Sequence, residues 1–546
     1  MGQFVNTLLT LQVVGCQGEL VTIRQSQQTA LDSIAKAEPK LSQFHLDIWA
    51  NSEPAWREYR SADAYVSLLR SEGFDVEAGS GGMPTAFHAT WGDSGPDIGL
   101  YAEYDATPGY TQDAVAHRVP RPGTHPWAPG FTDAHCALGV GALTGALALK
   151  QALAQHRLPG RIHLFGEPAE KVCGSKAVHA AKGYYDQLDA AISYHPLPFT
   201  TVLKDVLNCL HWGVVFTFEC DEQDPWVTPP EGGSPLPWGP HNSVRSPGAL
   251  DALALMITSA KSAKENMFPQ TGLWTVNEAV LGASFATADN LAQRISQIHY
   301  AIRSPLIDIQ EQIVQILQRV ARHVAGLTNC RVSMRWVTRT RPGLKNHGMT
   351  DLMYRSLREL GPATFGEEAY EHGRQLEREL GHEPSADPFI GMAHVITPPE
   401  QWDAEQRQAL PPWQQCVGAD DYTEYTWHTP TVRFHTAKPT LNVEPGLEHW
   451  ANNSMNGLPA AIDPAWLYAG QAIALTALDL IEEPAALASV REEFLRRRDE
   501  ANPRLQQPLL PADFAPPTDL PWPQYVQTNR GYEWCLPTTT NFGDPI

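Results

Sequence analysis

The chain has 546 residues, 42% of them apolar, which is enough for sizeable packed cores and, at about 150 residues per domain, for three to four domain-sized units. Its formal charge of −21 excludes the basic footprint that a nucleic-acid partner requires and argues against an anionic membrane surface. No run of 18 apolar residues is free of charges or several polar groups, so no membrane span is expected.

The eight cysteines (Cys16, Cys136, Cys173, Cys209, Cys220, Cys330, Cys416, Cys535) are scattered and form no Cys-x-x-Cys pair. In a chain of this length that pattern reads as reduced thiols in a cytoplasmic protein. The stretch from Thr10 to Cys16 has a faint look of a leader ending in a lipid-bearing cysteine, but no Lys or Arg precedes Arg24. Export is therefore not expected.

The predicted elements begin with helices at Ser42–Ala50 and Ala62–Gly73, where apolar residues recur at three-to-four spacing. Strands at Thr85–Trp91 and Ile98–Glu103 flank the turn Gly92-Asp93-Ser94-Gly95-Pro96. That pentapeptide looks like a protease serine loop, but it sits where a hairpin turn belongs. A Pro/Gly-rich loop over 106–132 leads to an Ala/Leu-rich helix, Cys136–His156. Gly139, Gly141 and Gly145 lie inside this helix, so they read as close-packing positions and not as a dinucleotide fingerprint. Strand Arg161–Phe165, short helix Lys176–Gly183 and strand Leu188–Tyr194 follow. This alternation predicts an α/β fold with a mostly parallel sheet flanked by helices.

The texture changes near 205. Strands Trp212–Glu219, Ile295–Arg303 and Cys330–Thr338 with helices Ala249–Asn266 and Ile307–Ala325 predict an inserted α+β domain. The expected organisation is a first part at 1–205, an insertion at 206–338, a second part of the first domain at 339–487, and a C-terminal extension at 488–546. The second part carries an apolar helix over Pro464–Glu482. The extension has a charged helix and a tail with six prolines between 508 and 523; it suggests no role.

Ligands of parallel sheets sit beyond the carboxyl ends of the strands. Three polar groups fall at such ends: Asp105, then Glu167 with Glu170, then His195. Asp133-Ala134-His135 closes the long loop just before a helix, and two ligands at i and i+2 of an extended segment can face one ion. Asp133, His135, Glu170 and His195 therefore form a candidate divalent-metal site. Cys173 lies close by and reads as an inert buried thiol.

With these residues in hand, the chain resembles the dinuclear metal amidohydrolases that include aminoacylase and related carboxypeptidases, and within them the p-aminobenzoyl-glutamate hydrolase branch. The matching stretches are Ala102–Gly109, His135 with Leu138–Leu143, Gly166–Glu170, and Asp189–Ala191 to His195-Pro196. The resemblance implies one or two zinc or manganese ions per chain, with Asp133 in a bridging position, His135 and His195 as ligands, and Glu170 as general base. It puts Lys171 where a ligand glutamate is usual, so Glu167 as a substitute, a single ion, or a lost second site all stay open. It assigns a last ligand histidine to His449, with His435 and His428 as rivals. It makes the insertion a lid that also forms a homodimer, with Asn290 and Arg303 contacting a substrate carboxylate and His241 as a candidate oxyanion donor.

The implied activity is hydrolysis of a small amide or peptide-like C–N bond by an activated water. Two alternatives are a hydrolytic deaminase on the same scaffold and a non-catalytic binding protein that has lost a metal site. The expected partner is a small-molecule amide, with no nucleic acid and no membrane.

Overall fold

The computed structural model describes residues 11–14, 20–220, 246–283, 291–411, 414, 416–443 and 449–534. The first long element, α1 (Gln25–Asn51), extends well upstream of the predicted helix and carries Pro39 within it. It survives the proline because Ala30, Ile34, Leu41, Phe44 and Ile48 hold one buried face across it.

The chain then lays down β1 (Asp75–Ala78), β2 (Phe87–Trp91), β3 (Asp97–Ala102), β4 (Arg161–Gly166), β5 (Ala190–Leu197) and β6 (Thr201–Val202). It leaves this sheet to form a second one from β7 (Leu210–Glu219), β8 (Thr275–Ala283), β9 (Ile295–Ser304) and β10 (Arg331–Arg339), and returns as β11 (Thr431–Ala437). The first sheet has the spatial order β6-β11-β5-β3-β4-β2-β1. Its centre is parallel, from β11 through β5 and β3 to β4, and both edges are antiparallel. The connection between β2 and β3 is not the expected hairpin, because β4 lies between the two strands; Gly92 and Gly95, both at positive φ, pass against the backbone of Gly160 and Pro159, where a Cβ would stand 2.2 and 2.5 Å away.

Helices α2 (His135–His156), α3 (Lys176–Ala181), α4 (Ala249–Asn266), α5 (Ile307–Leu327), α6 (His347–Leu360), α7 (Pro459–Glu482) and α8 (Pro484–Glu500) complete the main framework. By length and composition α2 could cross a membrane, but it lies buried against α1, α7 and the first sheet. Its glycines are packing residues: a Cβ on Gly141 would stand 2.7 Å from the Tyr194 ring and one on Gly145 2.5 Å from Ile473. Such an approach of two helices leaves no room for a methyl group.

The second sheet runs in the order β8-β9-β7-β10 and is antiparallel throughout. Along β7, Leu210, Trp212, Val214, Phe216 and Phe218 pack on one face with residues of α4 and α5. Val215 points the other way, into a cluster with Val337, Trp56, Leu510, Leu520 and Trp522. The Pro-rich tail is thus a strap. Arg57 of the first domain donates to the carbonyls of Thr518 and Leu520 at 3.0 and 3.1 Å. On the inserted domain, Arg335 pairs with Asp519 at 2.7 Å and Arg339 donates to the Leu509 carbonyl at 3.0 Å.

Candidate metal centre

The parallel centre of the first sheet directs its polar residues to one rim. Past the end of β3 the chain stays extended, so Glu103 and Asp105 turn to one side while Tyr104 turns to the other. Tyr104 stacks near Phe87 and donates to the Thr85 carbonyl at 2.5 Å, which anchors the segment. Asp133 and His135 stand at the start of α2. After β4, Ala169 adopts φ 58° and turns the chain into a 3-10 turn, Glu170–Val172. A left-handed alanine is strained; its amide donates to the buried Glu58 carboxylate at 2.8 Å, which holds it there. His195 lies within β5, near its end.

These residues meet. His135 Nδ1 is 2.7 Å from Asp105 Oδ1, so Nε2 faces the site. Nε2 in turn lies 3.4 Å from Glu103 Oε2, 3.4 Å from Glu170 Oε2 and 3.5 Å from Asp133 Oδ2. His195 Nε2 is 3.4 Å from Asp133 Oδ1. Glu103, His135 and His195 each offer one ligand atom within 4.8 Å of the others, and so do Asp105, His135 and Glu170. Glu103 Oε2 is buried with no hydrogen-bond partner among the described residues, an orphaned carboxylate oxygen of the kind a cation satisfies. Two imidazoles and several carboxylates fit zinc or manganese alike.

The charges are tuned by this crowding. Burial, reinforced by the neighbouring Glu103 carboxylate, pushes the Glu170 carboxyl up to about 7 against the opposing pull of Lys171 and His135. Burial alone would raise Asp133 too, but His195 and Lys171 hold it well below the usual carboxylate range. Lys171 is pinned by its backbone, which donates to Asp105 Oδ2 at 2.8 Å. Its ammonium lies 3.2 Å from Asp133 Oδ2; burial disfavours the charge there, but Asp133 and Glu170 raise its pKa above that of a free lysine.

Below this site, Lys176 is fully buried and bridges Glu103 Oε1 and Asp421 Oδ1 at 2.7 Å each. Arg433 donates to Asp420 at 2.7 Å. The acidic group Glu103, Asp420 and Asp421 is therefore braced by two cationic side chains.

The structure thus brings together Asp133, His135, Glu170 and His195, and adds Glu103 and Asp105. Glu103 was missed in the sequence although the stretch Ala102–Gly109 contains it; the i, i+2 relation to Asp105 was the available signal. Glu167 is held through Oε1, while its Oε2 is buried with no hydrogen-bond partner among the described residues. His179 Nδ1 at 2.9 Å and the hydroxyls of Tyr185 and Tyr425 at 2.5 and 3.1 Å occupy one of its oxygens, and it belongs to none of the candidate ligand groups. Cys173 is a buried thiol pushed up by its burial, also outside those groups.

His449 belongs to none of the candidate ligand groups. It opens the helix His449–Asn456, is exposed, and packs edge-on against Tyr110 with ring centroids 5.4 Å apart. His428 is engaged by Asp186 at 2.7 Å and Arg341 at 3.0 Å. Of the three histidines only His435 touches the site: its ring centroid is 6.4 Å from that of His195, and its Nδ1 is turned to the His195 carbonyl. His241 and Asn290 lie outside the described residues. Arg303 stands on β9 and, with Trp274, Cys209 and Cys416, lines a cavity of about 290 Å³ shared by the inserted domain and the first domain.

No family model matches the chain. It is 26% identical over 349 residues to a subunit of p-aminobenzoyl-glutamate hydrolase from Escherichia coli (strain K12), covering 64% of this chain and 68% of that one. It is 23% identical over 486 residues to the Xaa-Arg dipeptidase of Mus musculus, covering 86% and 92%. The crystal structure of the aminobenzoyl-glutamate utilization protein from Klebsiella pneumoniae superposes with a TM-score of 0.50 at 15% identity, over 82% of this chain and 98% of that one, a likeness of fold.

Proposed function

We propose that the chain is a metal-dependent amide hydrolase, like the p-aminobenzoyl-glutamate hydrolase and the dipeptidase it is similar to, and that it cleaves the C–N bond of a small N-acyl or peptide-like substrate with a bound divalent ion and Glu170 as proton carrier. The observation that carries this reading is the convergence of Glu103 Oε2, His135 Nε2 and His195 Nε2 beside Glu170.

A divalent ion held there supplies Lewis acidity toward the scissile carbonyl and lowers the pKa of water. Glu103, His135, His195 and Asp133 would hold it, and Asp105 keeps the His135 ring turned the right way. Glu170, poised near 7, takes the proton of the attacking water and later delivers it to the departing nitrogen. Arg303, which lines a cavity with Cys209, Trp274 and Cys416, would pair with a carboxylate of the substrate through its two-pronged guanidinium. A homodimer formed through the inserted domain accompanies this reading and is checked by light scattering.

The test is elemental analysis of protein purified without chelator, followed by a screen of N-acyl amino acids, aryl amides and dipeptides. Bound divalent metal and chelator-sensitive release of an amine are expected. Protein that retains no divalent ion and hydrolyses nothing would be a binding module instead. Ammonia released from a substrate without an acyl–nitrogen bond would make it a deaminase.

A further inference from the structure

Lys171 is out of character in a site otherwise made of carboxylates and imidazoles. It follows Glu170 in the 3-10 turn, and the bond from its amide to Asp105 fixes where the side chain starts. The ammonium then lies 3.2 Å from Asp133 Oδ2, 3.2 Å from His135 Nε2 and 3.9 Å from Glu170 Oε2. Asp133 Oδ2 thus accepts from Nζ with Glu170 Oε2 alongside, while the one lone pair of His135 Nε2, whose other ring nitrogen is held by Asp105, is left for an ion. The side chain is only 26% exposed, so this is a built position.

The two oxygens of Asp133 divide the site. Oδ2 faces Lys171, whereas Oδ1 faces His195 at 3.4 Å. Glu103 Oε2, grouped with His135 and His195, is buried and has no hydrogen-bond partner among the described residues, its nearest polar neighbour being His135 Nε2 at 3.4 Å. His135 lies between the two sides. One side therefore already holds a positive charge and the other presents donors still to be satisfied. A divalent ion on the Lys171 side would have to displace the ammonium or sit against it at a few ångströms, where like charges repel strongly.

We propose that the Lys171 ammonium is a tethered cation that takes the place of a metal ion on the Asp133 Oδ2–Glu170 side, so that the chain holds a single exchangeable divalent ion on the Glu103–His135–His195 side. This rests on reading the site as a metal centre. Lys171 then serves as a permanent charge beside Glu170 and Asp133 that chelators cannot remove.

The experiment counts ions. Chelator-treated full-length protein is saturated with Mn(II), freed of excess by gel filtration and analysed for manganese per chain, with electron paramagnetic resonance of the same samples. The expected result is one Mn(II) per chain with the spectrum of an isolated ion. Lys171→Glu, with folding checked by circular dichroism, is expected to take up close to two ions and to show the spectrum of an exchange-coupled pair, while Lys171→Arg stays at one. Two ions in the unaltered chain would overturn the role given to Lys171 and leave the metal hydrolase standing. No ion in the unaltered chain would overturn both. A folded Lys171→Glu chain that still binds one ion would also overturn it, and if that variant does not fold, the count and spectrum of the unaltered chain decide.

Discussion

The two sheets of this chain both bury their central strands but end them differently. In the first, four adjacent strands run parallel, so their carboxyl ends share one rim, and Glu103 with Asp105, Glu170 and His195 arrive there from three separate stretches of sequence. In the second, every strand reverses on its neighbour, so the loops are split between two ends and no comparable gathering forms among the described residues. What that sheet offers instead is two apolar faces, one under helices and one under the C-terminal strap. The gathering of candidate ligands follows from strand direction.

If this division is right, the largest effect comes from the rim. Glu170→Gln keeps the shape of the side chain and removes its ability to take a proton. Turnover is expected to fall about 10²–10⁴-fold with metal content and melting temperature unchanged. Steady-state kinetics and elemental analysis on one preparation check both parts, and normal turnover would take Glu170 out of the mechanism.

The second sheet should respond in stability and not in chemistry. Trp522 is 4% exposed, donates to the Pro517 carbonyl at 2.7 Å, and shares its cluster with Val215 and Val337. Trp522→Ala removes a large buried side chain and is expected to cost about 3–5 kcal/mol of stability, read by denaturant unfolding, without loss of bound metal. Loss of metal in a folded Trp522→Ala chain would show that strap and rim are coupled and that the two regions are less separate than their topology suggests.

Arg303, on the second sheet, tests the proposed part of the inserted domain in substrate recognition. Arg303→Gln keeps a polar side chain in the cavity but removes the charge. For a substrate that carries a carboxylate, KM is expected to rise about 10–100-fold, the size of a charged hydrogen bond's contribution, with kcat little changed. An equal loss on substrates with and without a carboxylate would mean that Arg303 serves the fold of β9 and not recognition.

How much of this was legible beforehand also tracks strand direction. The alternation of strands and helices up to 197 is written in periodicity, and with it the rim and four of its residues, because i, i+2 spacing and strand ends are local features. Glu103 was harder: its inward turn depends on Lys176, 73 positions later, which holds one of its oxygens. The direction of Lys171 was equally hidden, since it depends on the hydrogen bond that its backbone N–H donates to Asp105. His449 was placed on a local pattern, but ligands come together by tertiary geometry, which no spacing encodes. The strap was invisible because Leu510, Leu520 and Trp522 are set among prolines with no repeat, and they are buried without forming a regular element.

The smallest expected effect concerns acid, and it separates the sheets by pH. His299 lies on β9, across from Val215 of β7, with its ring 6.3 Å from that of Trp522 and its Nε2 unpartnered among the described residues. Burial, helped by the Arg303 charge, lowers its pKa to about 4. A histidine depressed in the folded state protonates more readily when unfolded, so its contribution is fully present above about 6.5 and is lost as the pH falls from there toward 4. The expected slope is at most about 1.4 kcal/mol per pH unit in that window. His299→Leu should flatten it, measured as stability against pH by denaturant unfolding monitored through tryptophan fluorescence. Because His299 faces the strap and not the rim, the variant should change this slope while leaving the metal count as it was; an unchanged slope would mean that other buried histidines, such as His211 beside it, carry the acid sensitivity of this sheet.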